Sequence, residues 1–132
     1  MIKKQFTLYL ENKPGELAKV TKELADLKIN IEGISVSGST DIGLVQVVVS
    51  DAEATEKMLS KLEIAFIVQD VALLPIKNKP GALSKIVARL ASDGVNINYV
   101  YATANNCMKD CDCYAIINAP NLEKVEEAWK AG

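Results

Sequence analysis

ENKPGELAKV occupies Glu11–Val20, and KNKPGALSKI occupies Lys77–Ile86. The two stretches lie 66 positions apart and align without a gap, so each Asn-Lys-Pro-Gly is followed by leucine at the same distance. The similarity continues over the wider segments Glu11–Ile34 and Lys77–Val100. A repeat of this length in a chain of 132 residues indicates an internal duplication, with one structural unit in each copy.

The first copy has the periodicity of a mixed α/β unit. Apolar residues alternate along Gln5–Leu10, as in a half-buried strand, and recur at helical spacing from Leu17 to Leu27. The predicted elements are a strand at Gln5–Leu10, a helix opened by Pro14-Gly15, strands near Ile29–Ser37 and Leu44–Val49, a helix at Asp51–Leu62 and a strand at Ile64–Val68. This β-α-β-β-α-β order predicts an α+β, ferredoxin-like unit, in which an antiparallel sheet carries both helices on one face.

The second copy repeats this order but ends after its second helix. We therefore expect two units, at residues 1–70 and 71–132, with the second lacking its fourth strand. That loss would expose one edge of the strand near Leu73–Ile76. Pro75 would blunt the edge because proline has no N–H; alternatively, a strand from the first copy or from another chain pairs with it.

Composition excludes several functional classes. The net charge is −2, from 15 basic and 17 acidic residues, so we expect no direct nucleic-acid binding. The sequence has no apolar run of the length that a membrane helix needs, and we expect a cytoplasmic protein. Histidine is absent, which removes the commonest general base and rules out Ser-His or Cys-His nucleophiles within the chain. We predict no catalytic activity and no cofactor.

The repeated segments resemble a known family. ENKPGELAKVTKELADLKINIEGI and KNKPGALSKIVARLASDGVNINYV resemble the opening of the ACT domain: a strand, an N-x-P-G turn, a helix and a short (V/I)-N-I segment that begins the second strand. The whole chain is similar to free-standing tandem-ACT proteins that carry no catalytic domain. The resemblance implies a regulatory sensor that binds a small molecule, usually an amino acid, where ACT units pack side by side.

The resemblance also implies a set of ligand-binding residues. They are Asn12, Gly15 and Asn30 in the first copy, and Asn78, Gly81 and Asn96 in the second. The chemistry suits a zwitterion, because an asparagine amide both donates and accepts, and a helix start offers N–H groups to a carboxylate. Glycine lets a ligand approach the backbone.

The same residues also have an architectural interpretation. Asn-x-Pro-Gly is a common turn sequence, and Asn30 and Asn96 would then join the helix end to the strand. Some amino-acid-binding relatives place a histidine two residues before the first asparagine of this loop. Here the positions are Leu10 and Ile76, so one polar contact to a ligand is missing.

Three cysteines occur in one short segment, NNCMKDCDC, in the second copy. Cys107, Cys111 and Cys113 would hold zinc or copper if Asp110, Asp112 or a partner chain supplied a fourth ligand. The alternative places Cys113 in the core, because it has the same strand parity as Ala115 and Ile117.

The sequence thus favours a non-enzymatic sensor of an amino acid. It predicts a homo-oligomer, with a dimer the simplest case, that regulates a separate enzyme or transcription component. Two alternatives stay open: a metal or thiol-redox module built on the cysteines, and a structural interaction subunit without a ligand. Trp129 is expected either to pack under the truncated sheet or to anchor a dimer.

Overall fold

The computed structural model describes residues 1–103 and 112–131. Within them lie six strands and four helices, and the fold is α+β as predicted. The elements are β1 (Ile2–Glu11), α1 (Glu16–Asp26), β2 (Ile31–Gly38), β3 (Ile42–Val49), α2 (Ala52–Lys61), β4 (Ala65–Lys77), α3 (Ala82–Ser92), β5 (Tyr99–Thr103), β6 (Asp112–Asn118) and α4 (Leu122–Ala131). None of these helices is long and apolar enough to cross a bilayer.

One compact unit comprises Lys4–Gln69. Its strands follow the order β2-β3-β1-β4, and β3 pairs antiparallel with both β1 and β2. The inward face of β1 packs against buried residues of α1 and α2. The buried set includes Phe6, Leu8, Leu10, Val20, Leu24, Met58 and Leu59. Both helices therefore cover the same face, which is the predicted ferredoxin-like arrangement.

The other compact unit comprises Met1–Lys3 together with Asp70–Gly132. Its strands follow the order β4-β6-β5, and β6 pairs antiparallel with both neighbours. Its core joins alternate residues of β4 and β6 to α3 and α4. Among the described residues of this unit, no further strand follows α4.

β4 is longer than predicted. The sequence suggests two strands, Ile64–Val68 and Val71–Ile76, whereas the structure has one uninterrupted strand, Ala65–Lys77. The intervening Gln69-Asp70 contains neither glycine nor proline, so the backbone stays extended through it. Residues of β4 up to Gln69 belong to one unit, and those from Asp70 belong to the other.

The exposed edge expected at Leu73–Ile76 is occupied from within its own unit. The backbone N–H of Leu73 donates to the Met1 carbonyl at 2.7 Å, and the Met1 amino group donates to the Leu73 carbonyl at 3.3 Å. Pro75 lies two residues further along β4, so its backbone polar groups point to the same edge of the strand as those of Leu73. It has no N–H, and its carbonyl accepts a 2.8 Å hydrogen bond from the Trp129 indole. Trp129 therefore packs at the truncated edge, the first of its two predicted roles.

The exits of α1 and α3 have the same backbone conformation. Lys28 and Gly94, at equivalent repeat positions, both have left-handed φ angles, 58° and 73°. In each copy the N–H of the following residue donates to the carbonyl five residues earlier at 2.9 Å. This pattern is the Schellman motif, which satisfies carbonyls at a helix end and favours glycine at the left-handed position. The first copy holds the motif with lysine instead.

Candidate functional site

The two strand-to-helix loops are nearly superimposable in backbone conformation. Gly15 has φ 91° and ψ −16°, and Gly81 has φ 90° and ψ −13°. Each glycine is the residue before the helix, so glycine, rather than the preceding proline, is the cap residue. A Cβ atom added to either glycine would meet no atom within 4 Å. Glycine is therefore required by the left-handed conformation, and the space beside it is open.

Both helices begin without a side-chain cap. Glycine has no side chain to accept from the first-turn N–H groups, and no side-chain hydrogen bond caps α1 or α3 within the described residues. The N–H groups of the first helical residues, Glu16 and Ala82, donate to loop carbonyls at 3.5 and 3.3 Å. The regular helical bonds begin with those from Lys19 and Lys85 to the two glycine carbonyls, each at 3.0 Å. In most helices a side chain at the cap accepts from an N–H group of the first turn, and here that acceptor is missing. A loop that binds a carboxylate needs such N–H groups to be available to the ligand.

Asn12 has a structural role in the first copy. Its backbone N–H donates to the Asp41 carbonyl at 2.9 Å, and its side-chain Nδ2 donates to the Ser39 carbonyl at 2.6 Å. These bonds fasten the strand-to-helix loop to the β2–β3 hairpin. Asn78 is exposed at the equivalent position, but the corresponding hairpin falls largely outside the described residues.

Asn30 and Asn96 differ from Asn12. The backbone N–H of Asn30 donates to Ser50 Oγ, and the backbone N–H of Ser50 donates to the Asn30 carbonyl, both at 2.9 Å. Its amide side chain is exposed and forms no hydrogen bond within residues 1–103 and 112–131, and the same is true of Asn96. In the first copy, the backbone of Asn30 and not its side chain makes the connection that was expected to join the helix end to the strand.

Asn12 and Asn30 lie at opposite ends of their sheet. Asn12 bonds to Asp41, just before β3, whereas Asn30 bonds to Ser50, just after it. At about 3.3 Å per strand residue, these ends are roughly 25–30 Å apart. The two asparagines of one copy therefore do not face a common ligand. A site that uses both kinds of asparagine therefore does not lie within a single copy.

The loops carry different charges. In the first copy, Lys13 lies 3.0 Å from Glu11 and 3.7 Å from Glu16. The hydrogen bond to Glu11, together with the charges of Glu11 and Glu16, raises the pKa of Lys13. The repeat positions of the two glutamates hold Lys77 and Ala82 in the second copy. The second loop is thus the more favourable surface for an anionic group.

Leu10 and Ile76, at the positions where some relatives have histidine, are core residues. Leu10 is 6% exposed and Ile76 is 9% exposed, and each belongs to the hydrophobic cluster of its unit. Their side chains pack under the helices and offer no polar group to the loop.

A cleft in the second unit was not predicted from the sequence. It has a volume of about 360 Å³ and lies beside β4, between α3 and α4. Its charged lining consists of Lys77, Lys79, Lys85 and Arg89, and its apolar lining includes Ile86 and Trp129. The repeat comparison contained a signal for it, because Arg89 aligns with Glu23 and Lys77 with Glu11.

The cysteines do not form a described metal site. Cys113 is 7% exposed and packs in the core with Ala115 and Ile117, which confirms the interpretation from strand parity. Cys107 and Cys111, with Asp110, lie outside the described residues. In the part of the chain that the structure describes, no three metal-binding side chains cluster together.

Comparison with known proteins identifies relatives over almost the whole chain. A family model described as an ACT domain pair matches residues 1–127. The crystal structure of protein BT0572 from Bacteroides thetaiotaomicron has 34% identity and a TM-score of 0.87, covering 99% of this chain and 88% of that one. The ligand-free regulatory subunit of aspartate kinase from Thermus thermophilus has 23% identity and a TM-score of 0.71, covering 99% and 92%. No curated protein sequence matches.

Proposed function

Since the chain belongs to the ACT domain pair family, we propose that it is a non-catalytic, cytoplasmic sensor that binds an amino acid and regulates a separate protein. The proposed target is an enzyme, by analogy with the Thermus thermophilus neighbour, which is a regulatory subunit of aspartate kinase. That neighbour supports the fold, and the choice of target rests on the analogy alone. A transcription component is the other target to be tested.

The observation that carries this proposal is the pair of exposed asparagines at the second-strand starts. Asn30 and Asn96 are identical between copies, yet neither amide makes a hydrogen bond in the described residues. An amide that is kept in both copies without an internal partner suits a polar ligand. The two glycine loops, held in one conformation at Gly15 and Gly81, supply the second half of such a site.

The proposed site combines two chains. The loop and the strand start of one copy lie at opposite ends of its sheet, so the two must come from different copies. By analogy with the side-by-side packing of ACT units, we place the ligand between the loop of one protomer and the strand start of a second protomer. The ligand's carboxylate would lie at the first turn of α3, near Lys79, and Asn78 would contact it from the same loop. The ammonium would donate to the Oδ1 atom of Asn96 from the partner copy. A homodimer is the smallest assembly that satisfies this geometry.

The test begins with the twenty amino acids as thermal-shift ligands. A ligand at 100 times its dissociation constant stabilises the folded state by about 2.7 kcal/mol, so a true effector raises the melting temperature by several degrees. If none does so at about 10 mM, the sensor proposal is wrong, and the ligand-free interaction subunit takes its place.

A matched pair of asparagine variants locates the site. Asn96→Ala should abolish the ligand-dependent shift and leave the stability of the unliganded protein unchanged. Asn98→Ala is the control, because its Nδ2 donates to Asn118 Oδ1 at 2.9 Å within the fold. It should lower basal stability and retain the shift. Retention of full binding by Asn96→Ala would show that the ligand lies elsewhere.

A further inference from the structure

The cleft between α3 and α4 of the second unit has an equivalent in the first unit with a different lining. The equivalent cleft of the first unit, about 280 Å³, is lined partly by Leu62, Glu63, Ile64 and Ala65, the segment that leads into and begins β4. Among the described residues of the second unit no segment takes this place, and the cleft is lined by Ile86 and the half-buried Trp129 instead. The two clefts therefore differ in their apolar lining.

The rim of the cleft is cationic. Lys79 and Arg89 form no ion pair within the described residues, and no acidic side chain belongs to the described lining. The first copy differs at the equivalent positions, since Glu23 replaces Arg89 and Lys13 is paired with Glu11. Lys79 and Lys85 recur in the first copy as Lys13 and Lys19, so the difference between the copies comes from Lys77 and Arg89. The excess of positive charge at the rim is thus specific to the second copy.

The strand edge beside the cleft is closed to a further strand. Met1 already pairs with Leu73, Pro75 offers no N–H, and the Pro75 carbonyl is bonded to Trp129. The Lys77 carbonyl accepts the Lys79 N–H at 2.9 Å. A peptide that adds to a sheet needs a row of such groups, so strand addition does not explain the cleft. The volume instead fits a small molecule.

We propose that the cleft binds a small organic anion with an apolar body, either a carboxylate or a phosphate monoester. The anionic group pairs with Arg89 and Lys79, and the apolar body lies against Trp129 and Ile86. An amino acid is a poor ligand here, because its ammonium would meet a cationic rim and no acidic side chain of the described lining. The cleft shares Lys79 with the amino-acid site proposed above, but it differs from that site in using Arg89 and Trp129 and no group that accepts from an ammonium.

Trp129 provides the measurement, because it is the only tryptophan in the chain. Its emission should change saturably on titration with octanoate or with hexyl phosphate. The uncharged 1-octanol should bind at least about tenfold more weakly, and 500 mM NaCl should weaken both anions several-fold relative to 50 mM, since the rim is exposed to solvent. The stronger of the two anions identifies the headgroup. Equal binding of 1-octanol, or no change in emission below about 10 mM of either anion, would overturn the proposal.

Two charge reversals complete the test. Arg89→Glu gives position 89 the negative charge that the first copy has at Glu23, and it should weaken anion binding at least about tenfold. Lys124→Glu makes the same change in net charge on an exposed residue of α4 that does not line the cleft, and should alter binding less than about twofold. If Arg89→Glu fails to fold by circular dichroism, Arg89→Gln replaces it. Equal effects of the two reversals would refute a specific site.

Discussion

The substitution Lys28→Gly is expected to stabilise the protein. Lys28 has a φ of 58° at the left-handed position of the Schellman motif that ends α1. Its side chain forms no ion pair within the described residues, so removing the side chain costs no such contact. The equivalent position in the second copy already holds Gly94, whose φ is 73°. The second copy thus contains the residue that the conformation favours.

The magnitude follows from two opposing terms. A residue with a Cβ atom costs about 1–2 kcal/mol in the left-handed region, and glycine removes this cost. Glycine also loses more backbone entropy on folding, by roughly 0.5–1 kcal/mol. The net gain for Lys28→Gly is about 0.5–1 kcal/mol, or about 2–4 °C in melting temperature for a chain of this size. Gly94→Lys should lose a similar amount, because a Cβ at Gly94 would meet no atom within 4 Å and the cost is conformational only.

Urea titrations of the two variants and of the double variant provide the assay. Far-UV circular dichroism follows the whole chain, and Trp129 fluorescence follows the unit that contains Gly94. The double variant should return to within about 0.5 kcal/mol of the parent if the two units unfold together, since the sites share no partners. A loss of stability in Lys28→Gly, or no effect of Gly94→Lys, would refute the assignment of strain to this position.

Three further substitutions test packing and capping by the same denaturation assay. Trp129→Phe should cost about 1 kcal/mol by circular dichroism, because it removes the hydrogen bond to the Pro75 carbonyl, and a neutral result would mean that this bond adds nothing. Asp51→Ala should cost about 1 kcal/mol through the lost cap to the Ala54 N–H, whereas Asp51→Asn should retain most of it. Cys113→Ser should cost about 1–3 kcal/mol, and more than Cys113→Ala, because a hydroxyl in the apolar cluster lacks a partner; the reverse order would contradict the core assignment.

The repeat and its periodicity predicted most of the fold, for identifiable reasons. Alternation at Phe6 and Leu8 and the helical spacing of Val20 and Leu24 are direct consequences of which faces are buried. A local signal of the same kind is Asn121, which caps α4 because its Oδ1 accepts from the Lys124 N–H at 3.2 Å. Such features are local, so a short window of sequence contains them.

Features that depend on long-range contacts were not accessible in the same way. The pairing of Met1 with Leu73 joins residues that are 72 positions apart, and no local pattern distinguishes it from pairing with another chain. Likewise, the sequence shows that Asn12 and Asn30 recur, but not that they lie at opposite ends of one sheet. That separation follows from the strand register around β3, which is set only when the sheet assembles.

The divergence between the copies is as informative as their identity. The framework residues that coincide, Gly15 with Gly81 and the Schellman positions after α1 and α3, satisfy backbone requirements that any unit of this fold meets. The charges around them have changed sign, from Glu11 and Glu23 to Lys77 and Arg89. Backbone geometry does not require those changes, because all four side chains are exposed or partly exposed at the surface. A shared framework with opposite surface charge is best explained by units that meet different ligands or partners, and the second unit is the one suited to anions.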